Sequence, residues 1–329
     1  MKMLVLYWRL LRYRVAVMII LFMLLGAAWH GGLTTIDLPV ILMILALASS
    51  YVGAMSVNDI ADREIDEINH PGDGGRPLVT GAAGSADLWM VFGLSSVLAV
   101  ALPLAISPAA AGIMGLSLVI GVVYSLPPLK LSYRTFQAPL TLAAAYVGIP
   151  YWAGVVVGGG SLQISDLPLM AALYLLFAGR IVLKDFRDRV GDAAYGKPTF
   201  LLLYGKRATC LVSAGAICAG DALLVAALAE RGWRWWVAAL LQPYVASIML
   251  MLYQFYRVNG RRDEQLAVGV GARMGTGLLA TLLGILVLAN YGADWITQLA
   301  YDLTLMAFYT LNFIDFLRHP DRAVIGYKG

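Results

Sequence analysis

The chain reads as an all-α, polytopic membrane protein of about nine transmembrane helices, with a candidate tenth near the C-terminus. Three observations predict this. Of 329 residues, 60% are hydrophobic and 13% charged, where soluble domains carry about 25% charged residues. Apolar runs recur at lengths near the roughly 20 residues that cross a bilayer. Lys and Arg gather in alternate connecting segments, as orientation in a membrane requires.

The expected spans follow in order. The first, 13–29, comes after Lys2, Arg9, Arg12 and Arg14 and reads as an uncleaved helix, because many later spans make a signal peptide the poorer reading. The second, 38–57, ends at an acidic stretch. Pro108 separates 87–107 from 109–125, since proline breaks a helix interior. Then come 138–157 and 167–184, the latter ending at a second acidic stretch. The run 208–229 holds both cysteines, Cys210 and Cys218. Eight residues of helix rise about 12 Å and a disulfide needs Cα atoms within about 7 Å, so they are expected to be free. Spans 235–256 and 271–290 complete nine, and 296–316 is apolar but contains Asp302, Asn312 and Asp315.

With the N-terminus in the cytoplasm and 296–316 crossing, all Lys and Arg residues except Arg231 and Arg234 fall on the inner side. Both acidic stretches follow even-numbered spans and open on that same side. The long inner segments 58–86 and 184–207 are expected to cap a cytoplasm-facing pocket. Residues 1–329 read as a single domain, with no soluble domain and no nucleic-acid signature. His30, His70 and His319 are scattered and show no His/Cys metal spacing.

The acidic stretches carry the chemistry. In Asn58-Asp59-Ile60-Ala61-Asp62-Arg63-Glu64-Ile65-Asp66, three aspartates are spaced three and four apart. On a helix this places Asp59, Asp62 and Asp66 on one face, with the Asn58 amide beside them. Asp185, Asp188 and Asp192 repeat the spacing. Clustered carboxylates beside lipid are costly and mark a site. Mg²⁺ suits them, because it takes oxygen ligands and commonly combines one or two carboxylates with water and phosphate oxygens. Two such clusters suit a metal-bridged diphosphate. Isolated, either cluster would read as solvated carboxylates at a helix end; two matched clusters on one side argue for a site.

Basic residues complete the pattern: Arg76 after the first motif, Lys130 and Arg134 after the fourth span, and Lys184, Arg187 and Lys197 around the second motif. They suit diphosphate oxygens that metals leave uncovered, although inner-side topology also explains them. That topological explanation is preferred for the N-terminal arginines and for Arg257, Arg261 and Arg262, which are left out of the expected site.

The chain resembles the UbiA superfamily of intramembrane prenyltransferases. Asn58-Asp59-x-x-Asp62-x-x-x-Asp66 matches that family's first aspartate-rich motif, and Arg76-Pro77-Leu78-Val79-Thr80-Gly81 looks like the segment after it. Asp188-x-x-x-Asp192, with Asp185 ahead, looks like the second motif. Tyr124 through Lys130 looks like the Tyr…Lys segment; its six-residue spacing is closer to the chlorophyll-synthase and homogentisate-type branches than to the four of many aromatic prenyltransferases. The similarity in layout covers about residues 10–290.

This resemblance implies nine helices around a central cavity, two Mg²⁺ ions and a polyprenyl diphosphate donor. Asn58, Asp62 and Asp66 would hold one metal with Asp59 nearby. Asp188 and Asp192 would hold the other, supported by Asp185. Arg76 and Lys130 would contact diphosphate, with Arg134 as a substitute for Lys130, and Lys184 and Lys197 would add positive charge. Tyr124 would lie near the reacting carbon, and Tyr51, Tyr146, Tyr174 and Phe177 could face an allylic cation. The expected reaction is transfer to a lipophilic, aromatic, quinone-precursor-like acceptor within membrane lipid. Alternatives are a sugar-phosphate or glycerol-lipid acceptor, cyclisation of the donor without acceptor, and, from another class, transport. Transport fits poorly, because acidic groups sit almost entirely on one side.

Overall fold

Apolar runs in lipid have no water to satisfy their peptide groups, so they close their hydrogen bonds as helices. The computed structural model describes residues 2–323, and among these there is no β-strand. The helices are α1 (Lys2–Leu11), α2 (Tyr13–Trp29), α3 (Leu38–Ala61), α4 (Arg63–Asn69), α5 (Ser85–Leu104), α6 (Pro108–Ser125), α7 (Gln137–Ala143), α8 (Ile149–Val157), α9 (Leu167–Ile181), α10 (Asp185–Ala194), α11 (Phe200–Glu230), α12 (Trp235–Arg257), α13 (Arg261–Asn290) and α14 (Trp295–Arg318). Among the described residues, eight helical segments are long and apolar enough to cross a membrane, or nine if the bent pair α1–α2 is one span. The protein is a multi-pass integral membrane protein. The C-terminal stretch forms α14 as expected, but it is not among those eight or nine.

Local signals set the ends. Asp37 accepts from the Val40 amide at 3.1 Å, and Ser107 accepts from Ala110, so each caps a helix that has proline in its first turn. Pro108 therefore starts α6 as well as separating it from α5. Pro150 lacks an N–H, and the chain passes from α7 to α8 through one wide turn at Ala144–Gly148. Helix α13 begins ten residues before the expected span, at Arg261, with Asp263 and Glu264 in its first turn. Both cysteines are free.

The chain divides into two compact units. Among the described residues, the first holds 2–161 together with Asp188–Thr199, and the second holds Leu162–Arg187 and 200–323. In the first, α3 is the central helix and packs on α5 and α6, while α2 packs on α8. The α2–α8 pair is close because glycines meet backbone: a Cβ at Gly26 would strike the Tyr151 carbonyl, and one at Gly154 the Met23 carbonyl. Gly154→Leu is expected to force these helices apart and destabilise the fold by about 3 kcal/mol or more, at the upper end of overpacking costs. A lower thermal unfolding midpoint in detergent checks this. In the second unit, α9 packs on α11, α12 on α13, and α13 on α14.

Candidate active site

The first motif is not one continuous helix. Helix α3 ends at Ala61, Asp62 leaves helical geometry with φ −108° and ψ 16°, and α4 starts at Arg63. The expectation of three aspartates on one straight helical face is corrected to that extent. The backbone still bridges the bend, since the Asp62 amide donates to the Asn58 carbonyl and the Asp66 amide to the Asp62 carbonyl, both at 2.9 Å. All three carboxylates are buried.

Burial demands countercharge, and three cations in the first unit supply it. Arg76, from the turn after α4, binds both Asp59 (3.2 Å) and Asp66. Arg12, at the 67° bend between α1 and α2, donates to both oxygens of Asp59 at 2.7 and 3.1 Å. Excluding Arg12 from the site on topological grounds is therefore a correction: its guanidinium is committed to the first motif. Lys197 Nζ stands 3.6 Å from Asp62 Oδ2 and 3.5 Å from Asp192 Oδ1. One ammonium thus joins the first motif to the second. Asn58 donates its amide N–H to Asp62 at 3.2 Å.

The second motif rides on α10, and much of the expected long loop 184–207 is helix, with only 195–199 between α10 and α11. Asp188 and Asp192 belong to the first unit; Lys184 and Asp185, paired at 3.3 Å, belong to the second. Two residues absent from the sequence-based site, Asn69 and His70, lie where α4 meets α10. The Gly191 amide donates to Asn69 Oδ1 at 2.7 Å, and His70 Nε2 lies 3.1 Å from Asp188 Oδ1. Gly191 has no room for a side chain, because a Cβ would sit 2.7 Å from both the Ile65 carbonyl and the Asn69 amide. The same three-and-four spacing that links Asp59, Asp62 and Asp66, carried one step on, reaches Asn69 and His70. No sequence signal singles out Arg12.

The segment after α6 brings Lys130 over the Tyr133 ring, 3.9 Å from its centre, with Lys197 5.8 Å from the same centre. Lys130 has φ 39°, a left-handed conformation seldom seen outside glycine, and its amide donates to the Leu126 carbonyl. Arg134 is exposed, and its side chain binds none of the acidic groups among the described residues. Tyr124 is half-buried on the last turn of α6. Tyr51 and Tyr146 meet edge to face in the first unit, and Tyr174 and Phe177 lie in the second. Burial first, and then the Asp62 and Asp192 carboxylates, push the Tyr133 phenol above its ordinary value. Ionising it would add negative charge beside theirs. Asp192→Asn should therefore lower the pH at which Tyr133 ionises, read by ultraviolet titration against Tyr133→Phe.

The donor set fits a hard divalent cation. Asp62 Oδ1 is buried and has no hydrogen-bond partner among the described residues, and a unit positive charge already stands between Asp62 and Asp192. Among the described residues no group of three or more His, Cys, Asp or Glu side chains is arranged to hold a metal ion by itself. Mg²⁺ commonly takes one or two carboxylates and completes its shell with water and substrate phosphates.

Comparison with known proteins identifies the family and the fold. The profile of the UbiA prenyltransferase family matches residues 17–276. Chloroplastic chlorophyll synthase of Avena sativa is 25% identical over 277 residues, covering 79% of this chain and 71% of its own length. Digeranylgeranylglyceryl phosphate synthase of Methanoregula boonei is 28% identical over 247 residues, covering 74% and 84%. A UbiA homolog from Archaeoglobus fulgidus bound to GPP and Mg²⁺ shares the fold, with TM-score 0.61 at 18% identity across 84% of this chain and 99% of that one. A bent acidic motif neutralised by basic side chains, on a bundle of membrane-length helices matched along most of its length, makes this chain a member of the UbiA prenyltransferase family, an integral-membrane transferase.

Proposed function

We propose that the protein transfers a prenyl group from a polyprenyl diphosphate to a lipid-soluble acceptor bearing a phosphate, of the glycerol-lipid kind, in an Mg²⁺-dependent reaction. The observation that carries the diphosphate reading is Lys197, whose ammonium joins Asp62 of one motif to Asp192 of the other. The acceptor reading is supported by the relatives' names, which point to a glyceryl phosphate and to chlorophyll. Neither name points to a quinone, so the aromatic, quinone-precursor acceptor expected from the sequence becomes the second reading. The basic residues Lys130, Arg134, Lys184 and Arg187 offer charge for an anionic acceptor.

Asp62 and Asp66 would hold one Mg²⁺, with Asn58 orienting Asp62, and Asp188 and Asp192 would hold the other, with Asp185 in support. Bound Mg²⁺ supplies neutralisation of the charge that grows on diphosphate as the allylic C–O bond breaks. Arg76 and Lys197 add fixed positive charge to the same oxygens. Arg12 stays paired with Asp59, so that Arg76 can serve substrate without leaving that carboxylate alone. Tyr124 would face the reacting carbon, and the surrounding apolar helices would exclude the water that otherwise quenches an allylic cation. The chain would act as a single catalytic domain.

Radiolabelled prenyl diphosphate in proteoliposomes tests this, with Mg²⁺ and a panel of glycerol-phosphate, tetrapyrrole and phenolic acceptors. Prenylation of the glycerol phosphate supports the reading. Prenylation of only a phenol establishes the second, and a cyclised hydrocarbon from donor alone replaces both. We place the N-terminus and both motifs on the cytoplasmic side from the distribution of Lys and Arg. In a Cys210→Ala/Cys218→Ala background, Asp73→Cys, in the exposed turn after α4, should then be unreactive toward an impermeant maleimide applied to intact cells and reactive in inverted vesicles.

A further inference from the structure

His70 belongs to neither aspartate motif, yet it lies against the second one. It ends α4, where its amide donates to the Asp66 carbonyl at 2.8 Å. Its neighbour Asn69 takes the Gly191 amide, so the backbone on both sides of the contact is fixed. The ring is 4% exposed. Its Nε2 has no hydrogen-bond partner among the described residues, and although it lies 3.1 Å from Asp188 Oδ1, the pair lacks hydrogen-bond alignment. A buried imidazole nitrogen beside a carboxylate, with no hydrogen bond of its own, has its lone pair left for another partner when it is the unprotonated nitrogen.

We propose that His70 Nε2 is a direct ligand of the divalent cation held by the second motif, next to Asp188. This rests on the metal–diphosphate reading above and adds to it. Two ligands on adjacent corners of an octahedron with bonds of about 2.1 Å are about 3 Å apart, which is the separation seen between Nε2 and Asp188 Oδ1. One nitrogen and one carboxylate leave the remaining corners to water and diphosphate oxygens. The chemical consequence is selectivity. Imidazole suits transition metals, whereas carboxylate and water suit Mg²⁺. The first motif contributes only oxygens, so the two metal positions differ: one all-oxygen, the other mixed and biased from Mg²⁺ toward Mn²⁺ or Co²⁺.

The test uses full-length protein in detergent with Mn²⁺ and inorganic diphosphate, read by electron spin-echo envelope modulation. Wild type is expected to show coupling of Mn²⁺ to ¹⁴N, replaced by the ¹⁵N pattern when the protein is grown with ¹⁵N-histidine; this arm needs no substitution in the site. His70→Gln should lose the coupling and weaken Mn²⁺ binding by about tenfold or more, while Mg²⁺ binding changes less than Mn²⁺ binding does. Bound Mn²⁺ without nitrogen coupling overturns the proposal and leaves the metal–diphosphate reading standing. Failure of wild type to bind Mn²⁺ with diphosphate overturns both. Coupling that persists in His70→Gln assigns the nitrogen elsewhere and also overturns it.

Discussion

Asp192→Asn is expected to cut Mg²⁺-dependent diphosphate release by about 10³-fold. Metal neutralisation of a leaving group supplies several kcal/mol, and about 4 kcal/mol corresponds to about 10³ in rate. Asn keeps the shape of the side chain and removes its charge, so α10 should stay docked through Asn69 and Gly191. Asp62→Asn should behave alike, because Lys197 ties Asp62 and Asp192 to one point. The double variant should then lose little more than either single one, as groups acting as a unit are strongly non-additive. Rapid-quench measurement of diphosphate release across an Mg²⁺ titration decides the matter. Losses below tenfold, or losses that multiply in the double variant, would show that the two carboxylates do not act as one unit through Lys197.

Arg76→Met should destabilise the protein by about 3–5 kcal/mol, the usual cost of breaking a buried ion pair from one side. Arg76 binds both Asp59 and Asp66, and both carboxylates are buried. Arg12 still neutralises Asp59, so the uncompensated charge falls chiefly on Asp66. Arg76→Met/Asp66→Asn should accordingly recover more than half of the loss, whereas Arg76→Met/Asp59→Asn should recover less. Thermal unfolding in detergent, without metal or substrate, separates this structural effect from any on catalysis. Equal midpoints for wild type and Arg76→Met would refute the countercharge role.

Part of the site is legible in the amino-acid sequence. The three-and-four spacing of Asp59, Asp62 and Asp66, and the matching spacing of Asp188 and Asp192, follow helix periodicity, which is a local property. The bend at Asp62 is not legible there, because nothing in Ala61-Asp62-Arg63 forbids a continuing helix. Arg12 is the clearest gap: on a linear chain it is one of several N-terminal basic residues, and only packing brings it to Asp59. His70 looks scattered in the sequence for the same reason, since its contact is with Asp188, far along the chain.

By itself, then, the sequence determined the all-helical membrane class, nearly every span, the free cysteines and the two acidic motifs. Each of these depends on hydropathy, periodicity or short-range geometry, which act between near neighbours in the chain. Only the tertiary structure decided which cation pairs with which carboxylate, that Lys197 joins the motifs, that Asn69 docks α10, and that His70 faces Asp188. Those choices depend on distances between residues remote in sequence, and a buried charge takes whichever partner the packed helices bring within reach.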